Sequence, residues 1–126
     1  MKIKFSRAVE YIPDWNGNKR LPVEDQIKCV IKPMVLGDLV ILLDVLGGTK
    51  SNDGTSLEMT ASSASRMIEA TKDILPKYVT VTGLEDDDGP VDIKQLTMYA
   101  QYMPLASEII MACANVSSPS ETTEGN

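Results

Sequence analysis

Apolar and charged positions alternate from Lys2 to Ile12, with Ile3, Phe5, Val9 and Tyr11 set against Lys2, Lys4 and Glu10. A period of two predicts a strand, slipping near Arg7-Ala8 and ending at Pro13. Asp14 to Pro22 reads as a connection, with Asn16-Gly17 as a tight-turn signal. Its tryptophan, Trp15, either caps the core or is exposed for binding. From Asp25 to Lys32 the alternation returns: Ile27, Cys29 and Ile31 point one way, Lys28, Val30 and Lys32 the other. These two strands are expected to pair as a long-looped antiparallel hairpin whose apolar face needs a cover.

At Pro33 the period changes. Nine of the twelve residues from Val35 to Leu46 are apolar, interrupted by Gly37, Asp38 and Asp44. Twelve residues make about three helical turns, and Gly47-Gly48 suits the stop. At 100° per residue Val35, Leu36, Leu39, Leu42, Leu43 and Leu46 share one broad face. Ile41 and Val45 fall between the two aspartates, where a surface helix is normally polar. The helix is therefore either central and buried all round or covered by a partner. In the second case Ile41 and Val45 form the contact, with Val40 at its edge and the two carboxylates as a polar rim.

Gly47 to Ser56 is a loop by composition, and Ser56 suits the N-cap of a helix over Leu57 to Leu75. Its stripe is Leu57, Ala61, Ala64, Met67, Ile68, Thr71, Ile74 and Leu75, and Pro76 is expected to stop it. Lys77 to Thr82 has the β-branched and aromatic character of a short third strand. Gly83 to Pro90 reads as an acidic turn. It is not a calcium loop, because Gln95 stands where the EF-hand pattern needs a glutamate. Asp92 suits the N-cap of a third helix over Ile93 to Tyr102, and Pro104 the first turn of a fourth over Leu105 to Val116. The fold class expected is thus α+β, a hairpin with a short third strand packed on about four helices. Residues 1 to 116 form one domain, and 117 to 126 a disordered polar tail.

Composition narrows the function. The 126 residues carry a net charge of −6 and contain no histidine. Seven Lys/Arg face four Asp/Glu up to residue 32, and five face fourteen beyond it. An acidic body argues against nucleic-acid binding. Without histidine there is no Ser-His-Asp or Cys-His pair, and neither GxGxxG nor GxxxxGK[ST] occurs. No catalytic residue, cofactor or metal site is expected, and the chain reads as a non-enzyme. The two cysteines, Cys29 and Cys113, sit among apolar neighbours and read as buried free thiols of a cytosolic protein. No segment has the length of a membrane span. Seven methionines remain to be placed. Met98, Met103 and Met111 are candidates for an adaptable apolar binding surface beside Val40, Ile41 and Val45, as gap-filling in the core is the alternative.

Two segments carry a family resemblance: Lys32-Pro33 through Asp38-Leu39 at the start of the apolar helix, and the run from Tyr78 to Val91 (YVTVTGLEDDDGPV). Together with the order hairpin, helix, loop, helix, two-helix segment and polar tail, over residues 1 to 116, they resemble the small tail assembly chaperones of long-tailed, siphovirus-like bacteriophages. The resemblance implies a chaperone that binds the long, apolar, helical tape-measure protein and keeps it soluble in the host cell cytoplasm while the tail tube assembles. It transfers no binding residue. A protein partner is expected, self-association being one form of it. A structural subunit of the virion, in tail or neck, and a host-directed adaptor stay open as alternatives.

Overall fold

The structure, a computed structural model, describes residues 1–2, 7–47 and 61–117. The expected positions Ile3, Phe5, Ser56, Leu57 and Met59, and the tail from 118 onward, lie outside the described residues. The fold is α+β. Three strands, β1 (Val9–Tyr11), β2 (Lys28–Ile31) and β3 (Val79–Thr82), form an antiparallel sheet in the order β1-β2-β3. The register sets Tyr11 against Cys29 and Cys29 against Val81. Alternation along β2 and β3 buries Cys29, Ile31, Val79 and Val81 and leaves Val30, Thr80 and Thr82 outside, as the period of two requires.

The buried face of the sheet is covered by α4 (Met103–Ser117). Between Leu105 and Ala114 this helix exposes only Met111 and half-exposes Glu108; Leu105, Ile109, Ile110 and Cys113 have no accessible surface. It touches β2, the Trp15–Arg20 turn and α1 (Leu36–Gly47). A helix apolar nearly all round belongs in the centre, and in this fold α4 holds that place, with α1 on its flank. Glu108 is the one charge on α4. Its carboxylate accepts the Tyr11 hydroxyl and the Asp14 backbone N–H, both at 2.6 Å. These bonds tie β1 and the following loop to the central helix. Burial and the adjacent carboxylate push the Tyr11 hydroxyl above its ordinary pKa.

The 13–27 connection is organised by a buried asparagine. Asn18 donates to the carbonyls of Pro13 and Ile27 and accepts the Ile27 N–H at 2.7 Å, so every bond it offers lies within the loop it closes. The turn that delivers it passes through left-handed backbone at Asn16 and Gly17. Trp15 is half-buried, with its ring 5.9 Å from that of Tyr102. It caps the core.

Three expected elements differ. Helix α2 (Ala61–Asp73) is followed by a one-turn helix, α3 (Leu75–Tyr78), so Pro76 does not end the helical run. Pro76 sits in the first turn of α3, where a missing N–H has no partner to lose. The acidic turn at 83–90 closes a minimal hairpin, β4 (Glu85–Asp86) with β5 (Gly89–Pro90). The expected helix over Ile93 to Tyr102 is instead two 3-10 turns, Ile93–Thr97 and Ala100–Tyr102, broken at the extended Tyr99. Asp92 still caps the first through a capping box with Gln95. The i,i+3 spacing of Ile93 and Leu96 suits a 3-10 helix as well as an α-helix. The Pro104 ring also excludes a continuous α-helix from Ala100 into α4.

Both thiols are fully buried and unpaired, and burial raises each to a pKa of about 12. The reactive thiolate is therefore scarce at neutral pH. Cys29 and Cys113 are expected to react with a thiol reagent in the native protein at less than about a hundredth of the rate in denaturant. Rapid native labelling of both would show that the central helix and sheet open readily.

Candidate partner-binding surface

Helix α1 begins three residues after Pro33 and its orientation is set by one polar group. Asp38, expected at the surface, turns inward. Its carboxylate accepts the Tyr78 hydroxyl at 2.6 Å and pairs with Lys77 at 3.6 Å. The same Tyr78 oxygen accepts the Val35 N–H at 3.4 Å. This hydrogen bond to Asp38 is the main cause of the raised Tyr78 pKa. The residues that share the side of the half-buried Asp38, Leu42, Val45 and Leu46, are buried. At 3 % exposure Val45 is buried, whereas it was expected on an uncovered side of the helix; it meets the surface only in the groove between α1 and α2.

The apolar residues left outside are Val35, Leu36, Val40, Ile41 and Leu43. Leu36, Val40 and Leu43 follow one another at i, i+4 and i+7 with 73 %, 55 % and 49 % exposure. That spacing is a single helical stripe, and no charged side chain interrupts it. Val40 was expected at the edge of a binding surface and stands in the middle of this exposed stripe. Leu36 and Leu43, expected to share one face with Leu42 and Leu46, are exposed while those two are buried. Ile41 is half-exposed at 49 %.

Ile41 and Val45 line a groove of about 340 Å³ between α1 and α2, completed by Ala70 and Ile74. Its rim is charged. Asp44 pairs with Arg66 at 2.7 Å across the two helices, both ends exposed. Glu69 and Asp73 stand further along α2. Of the three candidate methionines, Met98 and Met111 are exposed and line neither this groove nor the next pocket. Met103 is half-buried and lines, with Ile68 and Tyr99, a pocket of about 170 Å³ beside the buried Thr71 hydroxyl, which has no hydrogen-bond partner among the described residues. The expected single surface thus resolves into the α1 stripe with its adjoining groove, and methionines placed elsewhere. Among the described residues, no group of His, Cys, Asp or Glu is arranged to hold a metal ion, and no helix is long and apolar enough to cross a membrane.

Comparison with family models, with curated proteins and with solved structures returns no match. The surface is therefore read from its own residues. What sequence reasoning missed is the groove, whose α2 side carries Glu69 and Asp73. A signal was present: two carboxylates four apart at the end of a predicted helix repel each other and oppose its dipole.

Proposed function

We propose that this chain is a non-enzymatic tail assembly chaperone of the kind found in long-tailed bacteriophages, holding an apolar helical segment of a tape-measure protein in soluble form. The observation that carries the reading is the uncharged stripe Leu36–Val40–Leu43 on α1. Contiguous exposed apolar surface marks interaction sites in soluble proteins. A helix stripe of this spacing fits a second apolar helix laid alongside it. The acidic body keeps a complex of apolar helices in solution. The segments Lys32 to Leu39 and Tyr78 to Val91 supply the link to the phage chaperones.

The test is co-expression with a candidate tape-measure protein, comparing the unaltered protein with the double variant Leu36→Asp and Val40→Asp. Both sites are exposed, so the melting temperature should shift by only a few degrees. The partner should pass into the insoluble fraction, because each truncated anchor typically weakens binding by about 1–2 kcal/mol. Val45→Asp serves as the contrasting control and should unfold the protein by burying an unpaired charge. A folded double variant that still keeps the partner soluble would overturn the reading. Recovery of the chain from purified virions would replace it with that of a structural subunit.

A further inference from the structure

The groove between α1 and α2 has an apolar floor and an acidic wall, and the two do not serve folding equally. The floor, Ile41, Val45, Ala70 and Ile74, extends the core to the surface. The wall does the reverse. Glu69 and Asp73 lie one turn apart on α2, and like charges at that spacing repel. Asp73 is also the last residue of α2, where the helix dipole already presents its negative end. Among the described residues, neither carboxylate has an ion-pair partner, although Asp44 on the opposite wall has Arg66. Lys72 lies between them in sequence but makes no ion pair with either and does not line the groove. Two carboxylates that weaken their own helix thus sit beside an open apolar cleft.

We propose that the groove docks a partner helix that inserts apolar anchors between α1 and α2 and sets lysine or arginine against Glu69 and Asp73. This rests on the chaperone reading and adds to it the chemistry of the bound segment. A volume of 340 Å³ falls near the lower end of ligand-site volumes. It takes the anchoring side chains of about one turn while the partner's backbone stays outside. Among the described residues, α1 and α4, the two most apolar helices, contain no Lys or Arg, so neither of them supplies that chemistry from a second copy. A basic partner is also steered by the net charge of −6 and oriented by the wall, since charge complementarity fixes register.

The experiment uses the full chain and two labelled synthetic helical peptides. They share one Leu/Ala stripe and differ only in carrying lysine or glutamate beside it. Fluorescence anisotropy at low salt should show the lysine peptide bound about tenfold more tightly, the gap closing as salt is raised. The double variant Glu69→Gln and Asp73→Asn should lose that preference while its melting temperature holds or rises. Asp87→Asn with Asp88→Asn, the same charge change on the exposed turn of the β4–β5 hairpin, should keep it. Equal binding of both peptides would overturn the proposal, as would equal losses in the two double variants, which would assign the effect to net charge. Self-association abolished by the Glu69/Asp73 changes would place a second copy in the groove and also overturn it. The chaperone reading fails separately. A lysine-selective groove in a protein that leaves the tape-measure candidate insoluble keeps the groove and removes the phage function. An unselective groove in a protein that solubilises that candidate does the opposite.

Discussion

Ile109→Ala is expected to lower the free energy of unfolding by about 2–5 kcal/mol, a large part of the roughly 5–15 kcal/mol that holds a domain of this size. Ile109 has no accessible surface and sits midway along α4, the helix packed against both the sheet and α1. Removing its branched end leaves a cavity that neither neighbour can fill alone. Urea denaturation at constant slope is the measurement. Met111→Ala, two residues away on the exposed side of the same helix, should cost less than about 1 kcal/mol. Equal losses at the two positions would mean that α4 is not the centre of the fold.

Gly83→Ala should be comparably damaging for an unrelated reason. Gly83 has φ +86°, and a Cβ there would stand 2.3 Å from the Gln26 carbonyl oxygen and 3.3 Å from the Ile27 Cα. Both are backbone atoms, so no rotamer change relieves the clash, and the strand end leading into β2 must move. The left-handed conformation alone costs an alanine about 1–2 kcal/mol; with the displacement, a loss of about 3 kcal/mol or more is expected. Gly17 gives the comparison. Its φ is +74° but nothing lies within 4 Å of the added atom, so Gly17→Ala should show the conformational part only. Equal melting temperatures for the two variants would contradict the close approach at Gly83.

The sheet was legible because its residues alternate. Ile27, Cys29 and Ile31 could face only one way once the period of two was seen. The change to helix at Pro33 was equally plain. The rotation of α1 about its own axis was not. A helix apolar on nearly every side has no preferred face, so its orientation passes to the few polar groups it carries. Sequence reading sends an aspartate outward, whereas Asp38 is drawn in by Tyr78, forty residues away. The orientation that goes with this bond has Val45 in the core and Leu36 and Leu43 outside it. Val40 and Ile41 were read as surface candidates and are exposed, while the stripe that Val40 belongs to was misdrawn. Residues 93–102 were misread because i,i+3 spacing does not tell a 3-10 turn from an α-helix. Helix α4 was recognised as a helix but not as the centre. Its only charge, Glu108, sits on it as a solvent-facing residue would, and finds its partners in Tyr11 and Asp14.

The Asp38–Tyr78–Lys77 contact also bears on how α1 meets anything that approaches it. It fastens the first turn of the helix to the end of α3, next to where β3 begins, while Leu42, Val45 and Leu46 hold the remaining length. Because the Tyr78 pKa is raised, its proton stays in place below the ordinary tyrosine value and is lost only as pH climbs through the higher folded one. The fastening therefore persists throughout the neutral range. The stripe is thus presented already ordered. A helix docking there as proposed would not have to immobilise it, and the entropic toll of association would fall mainly on that partner.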